Sequence, residues 1–264
     1  MTPGACPPGL VPELVDVARG LATAAGDIAR RHFRQKVAVD TKADDSPVTI
    51  ADREIEAFIR EGLARQRPGD GIIGEEYGIE RSEAELVWVI DPIDGTRAFI
   101  TGRPSFGTLI ACLAGDTPVL GVIYQPIVGD LWVGATGQPT THNGTAVTTR
   151  ACPKLAQARI GTTSPATMND GEKAAFTKLS AGALDTIYGG DCYNYGLVAS
   201  GFLDVAVDCS MQIYDYAALV PVVEGAGGRM VQWSGAPLGR SGGPRVLAVG
   251  DPALLAEALR LVAG

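Results

Sequence analysis

The chain has few of the residues that commonly carry nucleophilic or redox chemistry. Only two histidines, His32 and His142, occur in 264 residues. His32 closes a basic helical stretch and His142 adjoins a turn, so no serine–histidine–acid set can be assembled around either. Five cysteines (Cys6, Cys112, Cys152, Cys192 and Cys209) are scattered without a CxxC pair, which argues against a disulfide framework and a zinc knuckle. Cys112 and Cys209 lie in apolar segments and read as buried thiols. Cys192, beside Asp191 but without a histidine partner, reads as a packed thiol. No apolar run approaches the length of a membrane span, and no signal-peptide pattern opens the chain, so the expected location is the cytoplasm, with no membrane partner. Basic clusters are also missing. Net charge is −8, and the densest group (Arg30, Arg31, Arg34 and Lys36) sits at a predicted helix end, where cations suit the helix dipole. No nucleic-acid partner is expected. Gly225, Gly227 and Gly228 follow a helix and not a strand, which excludes a dinucleotide fingerprint.

What remains is a turn-rich globular composition, 46% apolar and 20% charged with 34 glycines. Its length suits one large or two modest domains. Leu14, Val17, Leu21, Ala25 and Ile28 predict a helix over 13–33. Thr49, three positions before Asp52, predicts a capping box for a second helix whose apolar face is Ile55, Ile59 and Leu63. Strands are expected at 71–74, 86–90, 105–112, 118–124 and 130–135, with a turn at Asn143-Gly144. A short strand at 36–39 and a loop over 41–47, containing Lys42 and Asp45, are also expected. After residue 150, strands at 158–161, 184–188 and 202–208 alternate with helices at 170–180, 192–200 and 215–224. Asp251-Pro252 opens the terminal helix. The expectation is two subdomains, 1–150 with two helices and a largely antiparallel sheet, and 151–264 with an α/β layer structure. They form one unit because the acidic motifs are split between them.

Those motifs carry the chemistry. Trp88-Val89-Ile90 predicts an apolar strand that delivers Asp91, with Asp94 three residues later across Pro92-Ile93 and Gly95-Thr96 beyond. Glu75 follows the strand Ile72-Ile73 and Gly74. Asp215 opens a predicted helix. The Ile93 carbonyl offers a further oxygen. Hard divalent cations take such ligands, and clustered carboxylates repel one another without a cation. Taken singly, each acid has an equally good structural reading: Asp94-Gly95 as a turn, Glu75-Glu76 as a solvated loop, Asp215 as a helix-terminal charge.

Gly74-Glu75-Glu76, the run Trp88 to Thr96, and Tyr214-Asp215 through Gly225-Ala226-Gly227-Gly228 together resemble, in order and from about residue 10 to the C-terminus, the inositol-monophosphatase-like magnesium-dependent phosphatases. The resemblance implies an αβαβα layered sugar-phosphatase-like fold of mixed α+β and α/β character, and a homodimer. It implies Glu75, Asp91, the Ile93 carbonyl, Asp94 and Asp215 as ligands of two Mg²⁺ ions, with room for a third near Glu75 and Asp52. Thr96 and Asp52 match the residues that work with Glu75 in activating water. The phosphate of a small phosphomonoester would meet Asp94, Asp215 and the Gly95 and Thr96 N–H groups.

Shorter segments resemble the histidinol-phosphate phosphatase branch: Tyr188-Gly189-Gly190-Asp191-Cys192-Tyr193, Thr162 to Pro165, Arg103 to Thr108, and Pro221 to Gly225. On that resemblance the expected reaction is hydrolysis of L-histidinol phosphate in histidine biosynthesis. Asp191 would receive the substrate amine, and Tyr193, Tyr195 and Phe106 are candidates for an apolar wall or for core. Met211-Gln212-Ile213 departs from the Leu-Lys-Pro of that branch. The enzymatic alternative is an inositol-1-monophosphatase or other sugar-phosphate monophosphatase. The non-enzymatic alternative is an acidic regulatory or scaffold homologue.

Overall fold

The computed structural model describes residues 6–7, 9–35, 39–41 and 47–263. The expected strand 36–39 lies almost wholly outside them, as do Lys42 and Asp45. In chain order the elements are α1 (Val11–His32), β1 (Val39–Thr41), β2 (Pro47–Thr49), α2 (Ile50–Gln66), β3 (Gly71–Gly74), β4 (Gly78–Glu80), β5 (Leu86–Asp94), α3 (Thr96–Ile100), β6 (Gly107–Ala114), β7 (Thr117–Gln125), β8 (Asp130–Ala135), β9 (Gln138–His142) and β10 (Thr145–Ala146). There follow β11 (Arg159–Thr162), α4 (Asp170–Ala181), β12 (Asp185–Tyr188), α5 (Tyr193–Ala199), β13 (Val205–Asp208), α6 (Ile213–Tyr216), α7 (Leu219–Gly225), β14 (Arg229–Gln232), β15 (Val246–Val249) and α8 (Leu255–Val262).

Five layers result from two sheets that each bury both faces. The first sheet runs β10-β9-β8-β7-β6-β5-β3-β4, and only β3 and β5 are parallel. Side chains alternate across a strand. Trp88 and Ile90 of β5 therefore pack with Leu14, Leu21, Ile55 and Ile59 of α1 and α2. Val87 and Val89 face the other way, onto Tyr195 and Val198 of α5 and Val222 and Val223 of α7. The second sheet runs β12-β11-β13-β15-β14. Ala206 and Ala248 join that middle helical layer, while Val205, Val207 and Leu247 meet Phe176, Leu179 and Ala258 of α4 and α8. This is the α/β/α/β/α sugar-phosphatase-like arrangement. Among the described residues no helix is long and apolar enough to cross a membrane.

Local chemistry explains the ends of most elements. Thr49 and Asp52 form the expected capping box at α2. Asn143 and Gly144 take positive φ values of 49° and 80° between β9 and β10, as a tight hairpin turn requires. Three expectations needed revision. The strand predicted to end at Ile90 continues to Asp94, because β6 keeps pairing with it. The helix expected over 215–224 is two, with Asp215 inside the four-residue α6. Asp251-Pro252 opens a 3₁₀ turn, and α8 begins only at Leu255.

The middle layer is seated unusually closely. A Cβ on Gly121 of β7 would lie 1.9 Å from the Ala218 carbonyl oxygen, and one on Gly134 of β8 would lie 2.2 Å from that of Pro221. Thr140 Oγ1 donates to the Val222 carbonyl at 2.7 Å. Backbone thus rests on backbone, and α6, which precedes α7, is held at a fixed height above β5. Gly121→Ala is expected to destabilise by about 1–3 kcal/mol, the usual cost of overpacking. Gly20→Ala, in α1 with open space around its Cβ position, is expected to be neutral or to stabilise by up to about 1 kcal/mol. Urea denaturation of both variants checks the contrast.

Candidate active site

In a regular strand, residues three apart point to opposite faces. Asp91 and Asp94 escape that rule because the register of β5 against β6 shifts between them. Pro92 has no N–H to donate to a ladder, and the irregularity re-aims the strand locally. Thr108 Oγ1 donates to the Pro92 carbonyl at 2.9 Å and pins the distortion. As a result one carboxylate oxygen each from Asp91, Asp94 and Asp215 lie within 4.8 Å of one another.

Two of the three acids are oriented by main chain. Asp94 Oδ2 accepts the Cys192 N–H at 2.6 Å. Asp215 Oδ2 accepts the Gln212 N–H at 2.6 Å, closing a capping box at α6. Asp91 differs. It is 1% exposed, and its Oδ1 has no hydrogen-bond partner. A buried acceptor left unsatisfied is costly, and a cation would satisfy this one. The donor set therefore fits a hard divalent ion such as Mg²⁺. Burial, reinforced by Glu75, Asp94 and Asp215, raises the Asp91 carboxyl well above its ordinary range. Asp94 is raised in the same way by burial and by Asp191 and Asp215.

The remaining expected residues surround this triad. Glu75 follows β3, and its N–H donates to the Ile90 carbonyl at 3.2 Å. Thr96 Oγ1 lies 3.1 Å from the Ile93 carbonyl oxygen and 3.5 Å from Asp52 Oδ1. Asp52 uses Oδ2 to accept the Thr49 N–H and hydroxyl at 2.8 and 2.6 Å. Its carboxyl is raised chiefly by burial, with a contribution from Glu75. Gly95 stands at φ 84°, and a Cβ there would lie 2.7 Å from Asp191 Cγ. Asp191 itself holds a positive φ of 47°, a strained choice for a non-glycine residue. Glu75, Asp91, Ile93, Asp94, Gly95, Thr96, Asp191 and Asp215 all line one cavity of about 770 Å³, whereas Asp52 stands behind Thr96.

The cavity extends to residues outside the acidic motifs. Arg97, Arg103 and Ser105 form one flank, and Thr163, Ser164, Thr167 and Ser210 another. Arg103, Ser105, Thr163 and Ser164 belong to the short segments Arg103 to Thr108 and Thr162 to Pro165, whereas Arg97, Thr167 and Ser210 carried no signal in the sequence. Both histidines are elsewhere, paired with Glu54 at 3.0 Å and Asp130 at 2.8 Å. Of the aromatic candidates only Tyr195 lines the cavity, and its hydroxyl donates to Asp208 at 3.1 Å. Phe106 is core, edge-on to Phe99 at 4.9 Å. Tyr193 bonds Asp130 and lies edge-on to Trp132.

The chain belongs to the inositol monophosphatase family, which its residues 11–262 match. It is similar to a solved inositol monophosphatase from Zymomonas mobilis, with 47% identity and a TM-score of 0.88 over 96% of this chain and 98% of that one. It is 45% identical over 221 residues to the chloroplastic bifunctional phosphatase IMPL2 of Arabidopsis thaliana, covering 83% of this chain. The match spans only 64% of that longer relative. It is 37% identical over 230 residues to a histidinol-phosphatase of Chlorobaculum parvum, covering 86% of this chain and 88% of that one. Family and fold are those of magnesium-dependent phosphatases.

The resemblance to the histidinol-phosphate phosphatase branch is overturned, since identity is higher to the Zymomonas inositol monophosphatase than to the Chlorobaculum histidinol-phosphatase. The structure supplies a reason. The short segments behind that expectation largely serve the shared scaffold. Thr162 and Thr163 hold Asp208 through its Oδ1, Phe106 is core, and Pro221 to Gly225 seat α7. Asp191 packs on Gly95 and accepts from Ser105 Oγ at 3.4 Å, with the Arg103 charge acting on it. That setting does not mark it out for an amine.

A pH dependence follows from the triad. A carboxyl raised in the folded state favours folding below the unfolded value, near 3.8, and that contribution is lost as pH rises through the folded value. Asp91 and Asp94 are raised well above 3.8, and Asp191 and Asp208 are each raised to about 6. The metal-free protein should therefore lose thermal stability from these groups as pH rises from 5 to 8, while the stabilisation by added Mg²⁺ grows. Thermal melting in chelator and in Mg²⁺ across that range measures both trends. A Mg²⁺ effect independent of pH would contradict the assignment.

Proposed function

We propose that the protein is a Mg²⁺-dependent phosphomonoesterase that hydrolyses an inositol monophosphate or a similar small sugar phosphate. The observation that carries this reading is the Asp91–Asp94–Asp215 triad, with Asp91 buried and one of its oxygens unsatisfied, at the wall of a cavity large enough for such a substrate. The 47% identity to an inositol monophosphatase supports the polyol over an amino alcohol.

Asp91, Asp94, Asp215, Glu75 and the Ile93 carbonyl would hold two Mg²⁺ ions, and Glu75 with Asp52 offers a place for a third. When bound, the ions supply charge for the transferring phosphoryl group and acidify the attacking water. The protein's own groups set direction. Asp94 and Asp215 have one oxygen each fixed by a main-chain N–H, which holds both carboxylates in place at the cluster. The Thr96 hydroxyl has one proton, so it serves either the Ile93 carbonyl or Asp52 at a given moment. With a cation on the Ile93 oxygen, that proton would be left to Asp52, and the Thr96 lone pairs would then be free to orient the water. Glu75 takes the water's proton. The Gly95 and Thr96 N–H groups hold the phosphate, and the hydroxyl-bearing flank of Thr163, Ser164 and Ser210 suits a polyol. Asp191 lies close to the same phosphate-binding turn and limits the size of the leaving alcohol. The proposal includes a homodimer. The exposed Leu184, Ile187 and Tyr188 near the open edge of β12 favour it, and light scattering reads the state directly.

Phosphate release by the purified protein, with and without Mg²⁺, tests the reading on inositol 1-phosphate beside histidinol phosphate. The expected result is Mg²⁺-dependent turnover with higher kcat/KM for the inositol ester. Preference for the amino-alcohol ester would overturn the substrate, and no release from either would overturn the enzyme. Asp91→Asn should lower kcat by more than about 10²-fold, since even supporting residues of a metal site act on that scale. Near-normal turnover would remove Asp91 from its role.

A further inference from the structure

Helix α2 holds a second acid, Glu56, one turn beyond Asp52. It is a charged side chain on the apolar face that Ile55 and Ile59 share, and it is fully buried. Such a residue needs partners, and they all belong to one place. Glu56 Oε2 accepts the Glu76 N–H at 2.7 Å, and Oε1 accepts the Tyr77 N–H at 3.1 Å and Arg60 Nε at 2.8 Å. Arg60, 9% exposed, then donates to Glu80 Oε1 at 2.8 Å and to the Gly78 carbonyl. On the other side of Glu75, a Cβ at Gly74 would lie 2.0 Å from Glu56 Oε1 and 2.7 Å from Arg60 Nη2. The backbone on both sides of Glu75 is therefore set against one buried carboxylate–guanidinium pair.

Asp52 performs a similar task for the other loop, standing 3.5 Å from the Thr96 hydroxyl. Residues four apart lie on the same helix face. One rigid helix thus touches both the turn that carries Glu75 and the turn that carries Thr96. These two turns follow different strands, β3 and β5, and α2 bridges them on the side away from the cavity.

We propose that Glu56 is a positioning residue for Glu75: with Arg60 it fixes the turn after β3, so that the Glu75 carboxylate is presented to the cation at a constant distance from Thr96. This rests on the reading of Glu75 as a ligand and proton acceptor. Glu56 itself does not line the cavity and touches neither substrate nor metal. Its side chain acts through the N–H groups of residues 76 and 77. Supporting groups of this kind decide how well a ligand is oriented.

The test is a double-mutant cycle between Glu56→Gln and Glu75→Gln, read by Mg²⁺ titration calorimetry and by steady-state kinetics. Glu56→Gln should weaken Mg²⁺ binding and lower kcat by about 10- to 100-fold, the usual effect of losing a supporting partner, with KM for the phosphomonoester little changed. Combined with Glu75→Gln it should add almost nothing, because both changes remove the same presented carboxylate. Additive losses, or unchanged Mg²⁺ affinity in Glu56→Gln, would overturn the positioning role while leaving Glu75's own role intact. If Glu75→Gln by itself binds Mg²⁺ and turns over like the parent, both the positioning role and the reading of Glu75 fail. Glu56→Asp is the second variant. It keeps a charge for Arg60 but shortens the reach to the two N–H groups, and the same loss is expected in a protein with the parent's near-UV circular dichroism. If neither variant attains that spectrum, Glu56 serves the fold alone and the inference is wrong.

Discussion

Mutual repulsion among buried carboxylates is the constraint on which the rest of this structure depends. Asp91, Asp94 and Asp215 are brought within reach of a single ion, and the Asp91 and Asp94 carboxyls are raised by burial and by neighbouring carboxylates. No fold gains stability from such a grouping by itself. A scaffold that maintains it must be stiff, and the two sheets with a helical layer between them supply the stiffness. The glycines of β7 and β8 let the α7 backbone rest directly on the first sheet, so Asp215 cannot drift from the strand that carries its partners.

The same constraint explains why main-chain groups surround the site. An acid held by an N–H of a neighbouring turn keeps its position without another mobile side chain. Cys192, Gln212 and Thr49 each donate in this way, and the turn after Glu75 is held in reverse, its N–H groups gripping a buried acid of α2. The cavity is thereby assembled from loops that follow strands of both sheets. Charge is concentrated at one end, and hydroxyl groups and arginines stand on its flanks.

Much of this was legible in the sequence, for identifiable reasons. The periodicities of α1 and α2, the Thr49–Asp52 box and the Asn143-Gly144 turn depend on interactions within a few residues, and they appear as expected. The acids were legible as candidates only as a set, because each alone reads equally well as a turn, a solvated loop or a helix-terminal charge. Phe106 and Tyr193 were ambiguous because an aromatic ring suits a core as well as a wall, and only packing against Phe99 and Trp132 decides between them. The substrate branch was misjudged from short segments whose side chains turn out to hold the scaffold. Glu56 went unnoticed because a Glu–Arg pair four apart reads as an ordinary helix ion pair, and its other partners are backbone N–H groups, which leave no trace in side-chain identity.

The sequence by itself determined the kind of chemistry: which oxygen-bearing side chains exist, in what order, and after which apolar runs. Chemistry of that sort resides in residue type and local spacing. Only the tertiary structure decided that Asp91 and Asp94 share a face, because that requires a shifted register against β6. It alone decided that Asp215, more than a hundred residues away, completes their cluster, and that Glu56 and Asp52 brace the two turns from one helix. Those outcomes depend on contacts between elements distant in the chain, and no local propensity encodes a distance between two backbones.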